Sequence, residues 1–292
     1  MSRNGVNTPR NCRGISLVEL MVSMVLGLLL TLGTVRIYLD SKLNYAADEE
    51  FARLQENGRF ALNTIKRELT LAGFYGGDMA IDDIAVVPVA NDCGTGEWAL
   101  DPGDPIDIVN NFAGSAVTST GIALTCLTDE DGTAPIQPGS DIISVKRTAG
   151  DPTVKNGALQ RGVAAAQQEQ WYLERRNYGE TRAWVYIDSG EDFPAADIGT
   201  DTRVDFWEYY SRVLYLRNYS RTAGDGVPTL CTSELVGDAM TNSCLVPGVE
   251  DMQIEFGIDT NGDGVPNRFK DTPTAAELSG AVAVRVYLLM RS

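Results

Sequence analysis

The chain begins with one long apolar run that gives way to an amphipathic pattern. Residues 20–35 contain no charged side chain, and Glu19 and Arg36 flank them. Together with its flanks, residues 15–39, the run supplies the roughly 20 residues that a helix needs to cross a bilayer. Three arginines precede the run. The positive-inside tendency therefore predicts a cytoplasmic N-terminus and export of everything after Tyr38.

Beyond the run, apolar residues recur every three or four positions and predict that the helix continues to about residue 75. No proline interrupts residues 15–74, and a helix of that length is a rod on the order of 90 Å. Gly73, Gly76 and Gly77 supply the residues that commonly end a helix. The apolar stripe consists of Leu43, Ala47, Phe51, Leu54, Gly58, Ala61, Ile65, Leu69 and Ala72.

After Gly77 the pattern changes to short strands bounded by turn residues, such as IDIVN, DIISVKR and AWVYID. The aromatic stretch VDFWEYYSRVLYLRNYS predicts one long strand or a strand pair. An antiparallel sheet folded over the upper helix is the arrangement that buries both, so we expect an α+β fold. Period-two alternation predicts two sets of inward side chains: Met252, Ile254, Phe256 and Ile258, and then Val282, Val284, Val286 and Leu288.

Composition narrows the classes of function. The apolar content of 43% is that of a globular chain. The formal net charge is −16, and loss of the three arginines that precede the apolar run would lower it by three, to −19. A protein surface with this much negative charge repels the phosphate backbone of nucleic acids, so nucleic-acid binding is not expected. The chain has no histidine, which excludes Ser/His/Asp and Cys/His catalysis. Its acidic residues form no isolated close pair in an apolar context, and we predict that it is not an enzyme.

Glu19 is the anomaly of the apolar segment. A carboxylate at the centre of a membrane helix costs about 2.5 kcal/mol or more, and acids in such segments usually pair with another group. Two interpretations are open. The side chain snorkels to the membrane interface, or a partner molecule supplies the counter-charge.

The stretch RGISLVEL resembles the class III signal of type IV prepilins, which a dedicated peptidase cuts after the glycine before methylating the new amino terminus. The resemblance implies cleavage after Gly14, with Ile15 as the first mature and N-methylated residue. Ile15 departs from the usual phenylalanine, so methylation is less well supported than cleavage. Glu19 matches the glutamate that pairs, in this family, with the terminal amine of a neighbouring subunit.

Four further stretches resemble minor pilins of the PilW type. They are FARLQENGRFALNTIKRELTLAGFYGG, YYSRVLYLRNYS, LVPGVEDMQIEFGIDTNGDGVPNRF and the end AVAVRVYLLMRS, whereas residues 78–202 carry little of the likeness. The resemblance implies a type IV pilin-like fold. Its segments are a cleaved leader, 1–14; a membrane or filament-core helix, 15–39; an amphipathic upper helix, 40–75; and an exported β-rich domain, 76–292.

The resemblance also implies a function, a location and partners. A minor pilin helps to initiate or cap the type IV pilus and so supports adhesion and twitching motility. It lies first in the inner membrane, with its C-terminal domain in the periplasm, and then in the pilus or at its tip on the cell surface. Its partners are the prepilin peptidase, other minor and major pilins, and a tip adhesin.

Two other classes of protein remain open. A minor pseudopilin of a type II secretion system shares the leader and the helix. A membrane-anchored hydrolase or binding protein would need a site that the sequence does not display.

Cysteine usage fits export. Cys12 is lost with the leader, and the remaining four form an even set in an oxidising compartment. Three pairings are possible, and proximity in the sequence favours Cys93 with Cys126 and Cys231 with Cys244. A metal site is the weaker interpretation, because neither a CxxC motif nor a histidine accompanies the four cysteines.

The stretch DTNGDGVPNRFKD has the spacing of a calcium loop, with oxygen-bearing residues at positions 1, 3 and 5 and a glycine for the sharp turn. Position 12 is Lys270, where an EF-hand requires a bidentate glutamate. A hairpin turn rich in Asn, Asp and Gly is the alternative. The possible calcium ligands are Asp259, Asn261, Asp263, Val265 through its carbonyl, Asn267 and Asp271.

Overall fold

The structure is a computed structural model, and it describes residues 14–77, 84–94, 96–128, 135–160, 169–176, 181–188, 190–194, 197–199 and 203–291. The chain divides into two units, Met1–Arg53 and Leu54–Ser292. The long helix α1, Leu17–Leu71, crosses that boundary. The first three arginines and Cys12 lie outside the described residues.

The described part of the first unit, residues 14–53, is the beginning of α1, and every side chain in it is exposed. In the described part of the chain, α1 alone is long and apolar enough to cross a membrane, with a mean hydropathy of 2.0 in its most apolar window. The stripe residues Leu43, Ala47 and Phe51 belong to this unit and are exposed. The uncharged residues 20–35 of this unit thus offer an apolar surface to lipid or to another protein.

The second unit starts with the last part of α1, and here the apolar stripe is covered. Ala61 and Ile65 are fully buried, and Leu69 and Ala72 are half-buried against the same core. The glycine stop is confirmed, because α1 ends at Leu71 and the chain turns at Gly73 with a φ of 73°.

Nine strands of the second unit form one sheet in the described residues, with order β1-β2-β7-β3-β4 and with β5-β6 and β8-β9 attached to β7. The aromatic stretch is one 14-residue strand, β7, so the single-strand alternative is correct. The strands are β1 Ile106–Val109, β2 Ile142–Thr148, β3 Val154–Lys155, β4 Ala158–Leu159, β5 Gln170–Arg176, β6 Thr181–Ile187, β7 Val204–Arg217, β8 Thr229–Val236 and β9 Ala239–Pro247.

The large sheet has a core on each face, because side chains alternate along its strands. On the helix side, Leu214 and Leu216 of β7 pack with Ile143 and Val145 of β2 and with α1. The opposite face holds an aromatic core that includes Trp98, Trp207, Tyr209 and Tyr215.

A second sheet has the order β11-β10-β12, with β10 Val249–Ile258, β11 Arg268–Lys270 and β12 Ala281–Met290, and the short helix α2, Ala275–Leu278, precedes β12. The inward set predicted in β10 is confirmed: Met252, Ile254, Phe256 and Ile258 are all buried. The antiparallel sheets packed on the upper helix confirm the α+β class.

The prediction for β12 is wrong at one residue. Val284, Val286 and Leu288 pack against the core, but Val282 is 47% exposed. The pairing of β10 with β12 shifts between Gly257 and Ile258, whose partners are Ala283 and Ala281. Val282 is therefore the extra residue of a β-bulge, and alternation breaks there.

Two disulfides occur in the structure, Cys93–Cys126 and Cys231–Cys244. These are the pairs that sequence proximity favours. Cys231 and Cys244 also face each other in the register of the β8–β9 hairpin, which brings their Cα atoms to 3.9 Å.

Candidate functional site

The segment around Gly14 lies ahead of the helix and is accessible. Gly14, Ile15 and Ser16 are not helical, and the N–H of Leu20 donates to the carbonyl of Ser16 at 3.1 Å as the first bond of α1. The Ile15 side chain is 74% exposed, and a Cβ added at Gly14 would meet nothing within 4 Å. The bond after Gly14 therefore lies in non-helical chain that a peptidase can reach.

Glu19 lies in the first turn of α1 and is exposed. The unpaired N–H groups at a helix N-terminus favour a carboxylate in that turn. In the described part of the chain no ion pair involves Glu19, and the neighbours Val18, Leu20 and Met21 are exposed apolar side chains. The carboxylate is thus free to pair with a cation from another molecule, in surroundings that would strengthen the pairing once water is excluded.

The calcium-loop segment connects β10 to β11 as a tight turn. The Asp259 carboxylate accepts the backbone N–H groups of Asn261, Gly262 and Gly264 at 3.0, 2.7 and 2.7 Å. The bond from Gly264, followed by those from Gly262 and Asn261, holds the pKa of Asp259 below its ordinary value. The Asp263 carboxylate accepts from the Asn261 side chain at 3.0 Å. The structure therefore brings the first three candidate ligands together.

The remaining candidate ligands have other contacts. Val265 donates its N–H to Asp263 at 2.8 Å. The side-chain oxygen of Asn267 accepts from the N–H and hydroxyl of Thr260 at 2.7 and 2.8 Å. Asp271 follows β11 and accepts from the Thr272 hydroxyl at 3.1 Å. Among the described residues no group of three or more His, Cys, Asp or Glu side chains could hold a metal. The candidate ligand atoms are oxygens, which suit calcium. Several of these oxygens also accept hydrogen bonds within the turn.

A buried ionic cluster lies at the end of α1, and the sequence patterns did not predict it. Glu68 is 1% exposed and accepts two bonds from Arg147 of β2, at 2.7 and 3.0 Å, and one from Arg212 of β7 at 2.7 Å. Arg212 also pairs with Glu234 of β8. Each of the two guanidinium groups lies 4.5 Å from the centroid of the Tyr210 ring. One signal was present in the sequence, since Glu68 follows Ile65 by three residues and so lies on the apolar stripe.

Opposing effects set the pKa of Glu68. Burial raises the pKa of this carboxyl, but the hydrogen bond from Arg147 and the charges of Arg212, Arg147 and Arg67 together lower it below its ordinary value. Glu68 is therefore ionised at neutral pH and joins the helix to the large sheet.

Lys146 of β2 points to the opposite face of the sheet from Arg147 and is also buried. Its Nζ donates to the carbonyl of Asp101 at 3.1 Å and lies 4.7 Å from the centroid of the Trp98 ring. Burial lowers the pKa of Lys146 to about 8, although nearby aspartates act in the opposite direction. Its contacts are those of a packed and hydrogen-bonded lysine.

Two family models match the chain. A model described as Type IV Pilus-assembly protein W matches residues 215–292, which include β8 to β12. A model described as the Prokaryotic N-terminal methylation motif matches residues 9–35, which include Gly14, Ile15 and Glu19. Neither a curated protein nor a solved structure matches the chain.

Proposed function

Because the chain is a PilW-like type IV minor pilin that takes part in pilus assembly, we propose that it acts in the complex that primes the pilus or forms its tip. The observation that carries this proposal is the fully exposed apolar part of α1 with Glu19 in its first turn. In this role the protein supports adhesion and twitching motility. The matched family is one of structural subunits, and we propose no catalytic activity.

The apolar helix and the prepilin signal associate the chain with a membrane and with the pilus. We propose that residues 15–39 span the inner membrane before assembly and that the β-rich unit lies in the periplasm. This orientation follows from the arginines that precede the helix. After cleavage by the prepilin peptidase, the helix leaves the lipid and packs among the helices of other minor and major pilins, and a tip adhesin is a further proposed partner.

The pilus role is preferred to that of a secretion pseudopilin. Both kinds of protein share the N-terminal signal, so residues 9–35 do not separate them. The match of residues 215–292 to a pilus-assembly family supports the pilus role.

Replacing Glu19 with alanine should separate membrane insertion from assembly. Membrane insertion should stay the same or improve, because the substitution removes an energetically unfavourable carboxylate from the apolar segment. Cross-linking to partner pilins and incorporation into pili should fall about tenfold, which corresponds to loss of about 1.4 kcal/mol from one ion pair. Immunoblots of membrane and sheared-pilus fractions give both quantities.

The matched control is Glu49→Ala on the same helix, because Glu49 is exposed and already has Arg53 as its partner. This variant should assemble normally. Equal cross-linking and equal piliation of Glu19→Ala and wild type would mean that the carboxylate only snorkels to the interface.

We also propose that the loop from Asp259 to Asn267 binds calcium weakly, with Asp271 as an outer ligand. Asp259 and Asp263 lie in one turn of a strongly acidic chain, so a divalent cation would relieve their repulsion. An ion that binds only the folded state stabilises that state, by about 2.7 kcal/mol at one hundred times its Kd.

Calcium should therefore raise the melting temperature of the purified chain in detergent, and chelation should reverse the rise. Magnesium should substitute poorly, because an irregular ring of oxygens does not fit its small octahedral shell. Asp263→Ala should abolish the rise. Asp225→Ala should preserve it, although Asp225 likewise accepts backbone N–H groups in an exposed turn. If titration calorimetry finds no calcium uptake at millimolar concentration, the loop is only a turn.

A further inference from the structure

The strand β12 has one open edge. The sheet order β11-β10-β12 places it outermost, with β10 as its partner on one side. In the part of the chain that the structure describes, no backbone hydrogen bond joins residues 281–290 to any segment except β10. An open edge presents N–H and C=O groups that another strand can pair with.

A groove runs beside this edge, between β12 and the last turns of α1, with a volume of about 740 Å³. Four consecutive residues of β12 line it, Ala281, Val282, Ala283 and Val284. Alternation breaks at the bulge residue Val282, but the pairing with β10 is regular from Ala283 to Val284. These two neighbours point to opposite faces of the strand, so a groove that contacts both lies at its main-chain edge.

The two walls of the groove have nearly equal lengths. The wall on β12 runs from residue 281 to residue 286, about 17 Å at the rise of a strand. The wall on α1 runs from residue 62 to residue 72, about 15 Å at the rise of a helix. An extended segment of about five residues would fill that length.

The chemistry of the walls indicates what the segment carries. Most lining residues are apolar, among them Leu62 and Leu69 of α1. Lys66 is the one charged residue of the lining, and no ion pair of Lys66 occurs in the described residues. On a chain with a net charge of −16, a lone lysine in an apolar groove favours a carboxylate on the occupant.

We propose that the open edge of β12 binds an extended segment of a different pilin, not of a second copy of this chain, and that this segment adds to the three-stranded sheet as a fourth strand. Its apolar side chains pack on Leu62 and Leu69, and a carboxylate pairs with Lys66. Main-chain hydrogen bonds to β12 supply the affinity, and side-chain contacts in the groove supply the selectivity, as in other cases of strand addition. The inference rests on the proposed function, because the pilus provides the neighbour.

Photo-cross-linking in cells that assemble pili tests the proposal. A benzophenone amino acid at Val282, which is exposed in the groove, should give a product with another pilin, and mass spectrometry should place the linked peptide in an extended segment. The same probe at Leu289 is the control, since this residue is 57% exposed on β12 but does not line the groove.

Charge substitutions provide the second measurement. Val282→Arg should lower incorporation into pili about tenfold, and Leu289→Arg should leave it within about twofold, because a charge in an apolar groove opposes docking. Lys66→Glu should lower the yield of the Val282 cross-link, and Lys66→Arg should retain it. The amount of processed chain in the membrane shows that each variant folds.

The outcomes separate this inference from the proposed function. If wild type is found in pili but the Val282 probe gives no product, or links only a second copy of this chain, the strand-addition proposal is wrong and the pilus role stands. Equal effects of Val282→Arg and Leu289→Arg would also overturn it. Absence of the wild-type chain from pili would contradict the proposed function, and this inference with it.

Discussion

Replacement of Gly14 by valine should leave the chain in the membrane at precursor length and abolish its appearance in pili. A peptidase that cuts after a glycine must fit that residue closely, and the free space around Gly14 shows that the chain itself tolerates a larger side chain there. The failure would therefore lie in processing and not in folding. Without cleavage, the basic leader remains attached and the amino group of Ile15 is never formed.

Immunoblotting and N-terminal mass spectrometry measure this result directly, since the precursor keeps 14 additional residues. Gly27→Val is the matched control. Gly27 lies in the same apolar part of α1, and a Cβ there also meets nothing within 4 Å. This variant should be processed normally. Mature-length protein from the Gly14 variant would show that the leader assignment is wrong.

Glu68→Gln should destabilise the β-rich unit by about 3–5 kcal/mol. The amide removes the negative charge and leaves Arg147 and Arg212 buried beside each other, and breaking a buried ion pair from one side has a cost of that size. Urea denaturation of the full chain in detergent measures the loss of unfolding free energy. The near-ultraviolet circular dichroism of the aromatic core monitors the unfolding.

Glu56→Gln is the control for the Glu68 substitution. Glu56 lies on the same helix with its side chain 76% exposed, and its contact with Arg59 is 4.0 Å long. Its replacement should cost less than about 1 kcal/mol, as for other exposed pairs. Equal losses from the two variants would mean that the buried cluster adds no more to stability than a surface pair.

The Glu68 contribution should also depend on pH in one direction. Because the folded pKa lies below the ordinary value of 4.5, the ionised carboxylate stabilises the fold fully above pH 4.5. That stability is lost as the pH falls through the folded pKa. The difference in the free energy of unfolding between wild type and Glu68→Gln should therefore stay constant near neutral pH and become smaller in acid.

Several features of this protein are readable from short windows of the chain. The helix, its glycine stop and the inward residues of β10 depend on spacings of two to four residues, and a helix bonds each N–H to a carbonyl four residues earlier. The processing features are equally local, since Gly14, Ile15 and Glu19 lie within six residues. For these features, neighbours along the chain supply the relevant physical environment.

The buried cluster and the groove depend on residues that are distant in sequence. Glu68 lies 79 residues from Arg147 and 144 residues from Arg212, and its apolar stripe predicts only that it turns inward. Val282 fits a regular alternation until the pairing of β10 with β12 introduces the bulge. The open edge of β12 likewise exists only once strand order is known. Register and strand order arise from packing across the whole domain, where non-local contacts override the local pattern.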